Sequence, residues 1–346
     1  MTETTSPALA FVGAGSLGQA FAALIARSGQ AVTLLATPGT ATHLLEAREI
    51  RLRGVVDVTV PVAPAPAAPG SVGITATPAL LPAGVGMIFL TKGHQLAGAM
   101  GMVRAAWPVA GDAAAWVAGL QNGIAKDDLL ADAFGAGRVV GGATILGAER
   151  GTDGGVTVTS LGATYLGEMV GGGSPRVDRA IAALQRAGIP AESPADIRSV
   201  LWSKACNAAG VFGVSVLARA PASQLFVDPG LMRAYLALVR ETAAVGAAYG
   251  VEVGNYANFP PIHTYATQPE AEILAAIPPR IGPAPRGGSM PSMTQDLLAG
   301  RPMEVDQVFG DLVARAARVG VAVPHLTFVR DVLLGLDRIT RETQDG

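Results

Sequence analysis

The chain has 346 residues, half of them hydrophobic and only 15% charged, with a formal net charge of −2. A length of this order favours two domains, and the near-neutral balance lacks the basic footprint that nucleic acid or an anionic membrane surface would require. The single cysteine, Cys206, excludes an intrachain disulfide and fits a reducing, cytoplasmic setting.

From Ala8 to Ala26 the chain carries no charge, which approaches the length of a membrane span. That window holds Gly13, Gly15, Ser16, Gly18 and Gln19, however, and passes from a strand-like run (ALAFVG) to a helix-like one (SLGQAFAALIARSG). The leading MTETTSP offers an acid and no basic region, unlike a secretory signal. Neither a membrane span nor a leader is expected.

Further strand signals follow at AVTLLA (31–36), GMIFLTK (86–92) and AAWVAGLQNG (114–123), with a helical pattern in TATHLLEARE (40–49). The stretch 54–91 is broken by six prolines. GRVVGGATIL and GGVTVTSLGATYLGEM read as a hairpin. Strands alternating with helices predict an α/β domain over 1–195, a Rossmann-type doubly wound sheet. From about 196 the pattern turns helical, over 197–218, 229–249, 292–299, 302–319 and 325–339, predicting a mostly α-helical domain over 196–346. Within it, the proline- and glycine-rich stretch 251–291 is too long for an ordinary connection, usually about 2 to 8 residues between helices, and is expected to be an insertion acting as a lid or flap.

GAGSLG places Gly13, Gly15 and Gly18, with Ala14, Ser16 and Leu17 between them, in a G-x-G-x-x-G pattern after a strand and at the opening of a helix. One glycine serves the tight turn, one the approach of a pyrophosphate and one the close packing of helix on strand. A dinucleotide site is expected there. The second strand ends in LLATPGTATH, with no acid to take the ribose hydroxyls of NAD. Thr37 and Thr40 can hydrogen-bond a 2′-phosphate, with Arg48, Arg51 and Arg53 as distant cations. NADP is the preferred reading, and NAD stays open.

Hydride transfer to a ketone needs a proton donor at the developing alkoxide. His43, His94, His263 and His325 fall in no suggestive pair and read as solvated or structural, and no metal-ligand spacing is seen. Lysine is scarce: Lys92, Lys126 and Lys204 are the only three. Lys92 ends a strand, and Lys204 is the one charge in the apolar run SVLWSKACNAAGVFGVSVLA. Cys206, in the same run, reads as a small buried filler.

The segments GAGSLG, LTKGHQ (90–95), LQNGI (120–124), LWSKACN (201–207) and SMTQDLLAGRPMEVDQVFG (292–310), in this order, resemble the ketopantoate reductase (2-dehydropantoate 2-reductase) family. The resemblance covers nearly the whole chain. It implies an NADPH-dependent reductase in which Lys204 is the general acid and Glu304 holds the lysine and the substrate hydroxyl. Asn122 would lie between nicotinamide and substrate, Lys92 beside the cofactor, and Ser292 at the substrate carboxylate. Asp296 also matches a family position. A lysine facing a cleft has its charge disfavoured by desolvation and restored by a carboxylate, which poises it for proton transfer.

The match departs where the family helix carries two asparagines, four and eight residues after the lysine. Those positions are Ala208 and Phe212, and Asn207 comes one residue early, a rotation of about 100° on a helix. Lys204 and Asn207, three apart, still share a face. The expected substrate is therefore a 2-oxo acid or ketone bulkier or less polar than ketopantoate, bound near Asn207 and Phe212. The alternatives are ketopantoate itself, imine reduction on the same scaffold, and a non-catalytic NADP(H)-binding regulator. The alanine-rich helical domain is of the kind that buries a homodimer face.

Overall fold

The computed structural model describes residues 9–106, 114–151, 154–277 and 290–342. The backbone forms two compact units: the described residues up to Gln121 together with Lys126–Arg198, and Asn122–Ala125 together with those from Ser199 on.

The first unit is built on ten strands: β1 (Leu9–Val12), β2 (Val32–Leu35), β3 (Glu49–Gly54), β4 (Val58–Pro64), β5 (Val72–Thr75), β6 (Val85–Phe89), β7 (Ala114–Gly119), β8 (Val140–Arg150), β9 (Val156–Glu168) and β10 (Ala191–Glu192). They run in the order β10-β9-β3-β4-β5-β2-β1-β6-β7, with β8 paired to β9 off that path. The segment β5-β2-β1-β6-β7 is parallel throughout, whereas β3–β4 and β8–β9 pair antiparallel.

Successive side chains of a strand leave on opposite faces, and both faces of this sheet are buried. Leu9 and Phe11 join one apolar core with Leu34 and the helix α1 (Ser16–Arg27). Ala10 and Val12 join another with Leu35, Phe89 and the helix Leu96–Ala106. Burial on two sides is why the parallel strands read as unbroken apolar runs. No strand is expected between 54 and 85, where β4 and β5 lie, because Pro61 and Pro64 fall inside β4. The strand expected over 114–123 stops at Gly119, where the chain turns toward Lys126.

The second unit is helical. It contains Ile197–Ala218, Ala222–Leu225, Pro229–Ala248, Ile262–Thr267, Glu270–Ala275, Ser292–Leu298, a π-helical turn Asp306–Gly310 running into Asp311–Val319, and Pro324–Glu342. The 22-residue helix Ile197–Ala218 is long and apolar enough to cross a membrane, but most of it is buried inside the unit, as a core helix is. Its glycines admit close neighbours: a Cβ at Gly210 would meet the Tyr235 ring, and one at Gly213 would meet Leu238 and Val329. Asp228 caps Pro229–Ala248 by accepting from Gly230 and Leu231 N–H, each at 2.9 Å. Glu241 on that helix caps the last one, accepting from His325 and Leu326 N–H at 3.0 and 2.8 Å.

The stretch expected as an insertion over 251–291 contains the short helices Ile262–Thr267 and Glu270–Ala275; its residues 278–289 lie outside the described residues. One expectation is corrected here. The helix expected over 302–319 begins only at Val305. The Arg301 N–H donates to the Asp296 carbonyl at 2.8 Å and the Met303 N–H to the Asp337 carboxylate at 2.8 Å, which holds 301–304 outside the helix.

Candidate active site

In the sheet unit the glycine loop has the geometry a dinucleotide needs. Gly13 turns with φ +111° and donates its N–H to the Leu35 carbonyl at 2.9 Å. A Cβ at Gly18 would lie 1.9 Å from the Gly13 carbonyl oxygen, so the helix can sit on the turn only with glycine there. Gly15 has open space where its Cβ would be and begins α1 with no side-chain cap. The helix N–H groups at Ser16 and Leu17 thus face a place where backbone and an anionic group can approach closely. Gln19 ties the loop down from inside, donating to the Ala14 carbonyl at 2.9 Å. These residues fit a pyrophosphate.

Lys92 follows β6 beside this loop, for a Cβ at Gly13 would come within 2.8 Å of the Thr91 nitrogen. Thr37, at the end of β2, is exposed and caps the helix Pro38–Ala47, with its hydroxyl 3.0 Å from that of Thr40. No carboxylate stands at this strand end. Gln121 closes the tip of β7 by donating to the Phe89 carbonyl at 3.1 Å.

In the helical unit Trp202, Ser203, Ala205 and Cys206 are all buried, and Lys204 alone among them is half-exposed. The register of this helix is pinned around the lysine. Ser203 accepts from Gly254 N–H at 2.9 Å, and Trp202 stacks on Tyr249 with centroids 6.0 Å apart. Burial drives the Cys206 thiol far above its ordinary range, so it stays a neutral filler. Glu304 is a buried carboxylate, and Asp296, at the end of the turn begun by Ser292, is buried too. Asn122 is brought to the Glu304 segment. Its neighbour Gly123 (φ +89°) packs so closely on the π-helical turn that a Cβ there would lie 2.1 Å from the Gln307 carbonyl oxygen. Turns of π geometry are frequent at functional sites.

Asn207 is engaged in a way the sequence did not reveal. The Tyr235 hydroxyl donates to its Oδ1 at 2.9 Å. Tyr235 is fully buried, and that burial, with lesser effects from Cys206 and Tyr265, holds its pKa well above the usual tyrosine range, so it remains a donor. The amide oxygen is thereby matched, and Nδ2 remains its donor group. Ala208 and Phe212, which stand where the resemblance places two asparagines, are buried apolar residues.

Lys126, the third lysine, is buried after the QNG turn, its ammonium 2.6 Å from Asp127 and its stem against Gly119. Its only signal in the sequence was the scarcity of lysine. Two of the histidines have structural partners: His325 Nδ1 lies 2.6 Å from Glu241, and His263 Nδ1 lies 3.1 Å from the Val253 carbonyl. No cluster of His, Cys, Asp and Glu suited to a metal occurs among the described residues.

Comparison with known proteins gives a consistent result. Residues 9–171 match the family described as ketopantoate reductase PanE/ApbA, and residues 196–337 match its C-terminal domain. A 2-dehydropantoate 2-reductase of Archaeoglobus fulgidus is 29% identical over 224 residues, 64% of this chain and 69% of that protein. In fold the chain is similar to the crystal structure of 2-dehydropantoate 2-reductase from Methylococcus capsulatus (TM-score 0.75, 24% identity, 96% and 97% of the two chains). It is also similar to a D-mandelate dehydrogenase solved with NADH and anilino(oxo)acetate (TM-score 0.74, 19% identity, 98% and 100%).

Proposed function

Given that the chain belongs to the ketopantoate reductase family and is an oxidoreductase acting on a ketone, we propose that it uses NADPH to reduce a 2-oxo acid bulkier or less polar than ketopantoate. Bound NADPH supplies the hydride. Lys204 gives the proton to the carbonyl oxygen as charge develops there. Glu304 holds the lysine and the substrate oxygen, Asn122 orients the carbonyl, and Ser292 takes the carboxylate. The region 1–195 then serves as the NADP-binding domain and 196–346 as the substrate domain, in a cytoplasmic protein of homodimeric assembly.

The observation that carries this reading is Lys204 itself. It is a half-buried cation whose helix neighbours Trp202, Ser203, Ala205 and Cys206 are buried, in the unit that also holds the buried Glu304. An NADP(H)-binding regulator needs neither.

The substrate preference rests on Asn207, Ala208 and Phe212. Two of these are buried apolar residues, and the third has its amide oxygen taken by Tyr235. The D-mandelate dehydrogenase neighbour was solved with an aromatic 2-oxo acid derivative, which makes an aryl 2-oxo acid the first candidate. That neighbour holds NADH, so both nucleotides belong in the assay. Ketopantoate is the second reading, favoured by the names of the sequence relatives.

The test is NADPH and NADH oxidation by purified protein with ketopantoate and phenylglyoxylate, for wild type and Lys204→Ala. Turnover of phenylglyoxylate in preference to ketopantoate, abolished by Lys204→Ala, is expected. Efficient turnover of ketopantoate would overturn the substrate assignment, and an undiminished Lys204→Ala would overturn the role of the lysine.

A further inference from the structure

Glu304 lies in a short non-helical segment, and that segment is held by two buried carboxylates from different helices. On one side Arg301 returns to Asp296, donating its N–H to the backbone carbonyl at 2.8 Å and its Nε to the side chain at 2.9 Å. On the other, the N–H of Met303 donates to Asp337 Oδ1 at 2.8 Å. Asp337 belongs to the last helix, 34 residues further along, and is buried. Its second oxygen pairs with Arg341, one helical turn on, whose side chain reaches the surface.

A buried aspartate is costly unless its oxygens are matched by donors. Here one oxygen takes the peptide donor next to Glu304 and the other takes a guanidinium. The peptide that Asp337 grips is Pro302–Met303, one residue before Glu304, and the helix that starts at Val305 fixes the residue from its other side through the Val308 N–H bond to the Glu304 carbonyl (3.1 Å). The Glu304 backbone therefore has little freedom.

The geometry points to Asp337 as a positioning residue for Glu304, with Arg341 orienting the aspartate. This inference rests on the role proposed above for Glu304. Asp337 does not touch the reacting atoms. Its effect passes through the placement of one carboxylate, and displacement of a catalytic group by about 1 Å can cost on the order of 100-fold in rate.

The experiment compares Asp337→Ala, Asp337→Asn, Arg341→Ala, Glu304→Gln and the double variant Glu304→Gln/Asp337→Ala in the full chain. It measures kcat and KM for NADPH and for the better 2-oxo acid, NADPH binding by fluorescence, and thermal stability. Asp337→Ala is expected to lower kcat by roughly 10- to 100-fold with NADPH binding unchanged. Asp337→Asn, whose amide oxygen can still accept from Met303, should restore most of that loss. The double variant should be no slower than Glu304→Gln, because the two residues act as one unit.

Should Asp337→Ala fail to fold, Arg341→Ala carries the test, with a severalfold fall in kcat expected and an unchanged kcat overturning the inference. Normal turnover in Asp337→Ala beside a slow Glu304→Gln overturns the positioning role alone. Losses that multiply in the double variant also overturn it. A Glu304→Gln enzyme as fast as wild type overturns the proposed function of Glu304 and the positioning inference with it.

Discussion

Replacing Gly123 by alanine tests how tightly the loop bearing Asn122 is seated. Gly123 has φ +89°, a region that costs a residue with a Cβ about 1–2 kcal/mol. The added carbon would also stand 2.1 Å from the Gln307 carbonyl oxygen, a backbone atom of the π-helical turn that cannot rotate away. Ordinary contact begins at 3.4 Å, so loop or turn must retreat by more than 1 Å. Asn122 and Glu304, on the two sides of this contact, would then separate. A shift of that size predicts a fall in kcat of about 100-fold. The strain alone predicts a fall in Tm of about 2–8 °C for a domain of this size. Steady-state NADPH oxidation and a calorimetric scan measure the two effects. A Gly123→Ala enzyme with kcat within threefold of wild type and an unmoved Tm would refute the close approach.

In the glycine loop, Gly18→Ala pushes a methyl against the Gly13 carbonyl; NADPH binding, measured by fluorescence titration, should be lost or weakened by well over tenfold. Tyr235→Phe removes the donor to Asn207 at a cost of about 0.5–1.5 kcal/mol, seen as a lower Tm, and should raise the substrate KM severalfold while leaving NADPH affinity intact; an unchanged KM would separate Asn207 from the substrate. Glu168 is held below its ordinary pKa of 4.5, first by its hydrogen bond from Arg176. A depressed carboxylate contributes stability above its unfolded value and loses it as pH falls below 4.5 toward the folded value. Denaturant titrations should therefore show Glu168→Gln with a shallower loss of stability than wild type in that acid window. Cys206, buried and held protonated, should resist a thiol reagent until the protein unfolds.

What could be read from the sequence was what depends on neighbours along the chain. The glycine loop was legible because each of its glycines answers a local demand, one for a turn and one for a helix set on that turn. Lys204 was legible because a charge in an apolar run of this length is conspicuous. The bonds that fix the site were not legible. Tyr235 reaches Asn207 across 28 residues and Asp337 reaches Met303 across 34. In sequence, Tyr235 is one aromatic in an apolar helix and Asp337 one acid in an amphipathic one. The late start of the helix expected from 302 had the same origin, since only tertiary partners hold the N–H groups of Arg301 and Met303 outside the helix. The strands β4 and β5 were hidden by prolines: within β4, Pro61 stands in the antiparallel pairing with β3 and Pro64 in the parallel pairing with β5.

The substrate reading gains most from setting the two kinds of residue side by side. A polar site is specific because its buried donors and acceptors are left unmatched by the wrong ligand. Here the helix carrying Lys204 offers buried Ala208 and Phe212 at the two positions the resemblance marks for amides. The remaining amide, Asn207, has already matched its oxygen to Tyr235. Beside Lys204, the helix thus contributes one amide donor, the Asn207 Nδ2, and an apolar surface. A ligand with a single acceptor and a flat apolar group would leave nothing there unmatched, whereas a hydroxylated aliphatic acid would bring a polar group to Phe212 with no partner. An aryl 2-oxo acid is the simplest compound that meets both conditions and still presents to Lys204 the ketone that the family reduces.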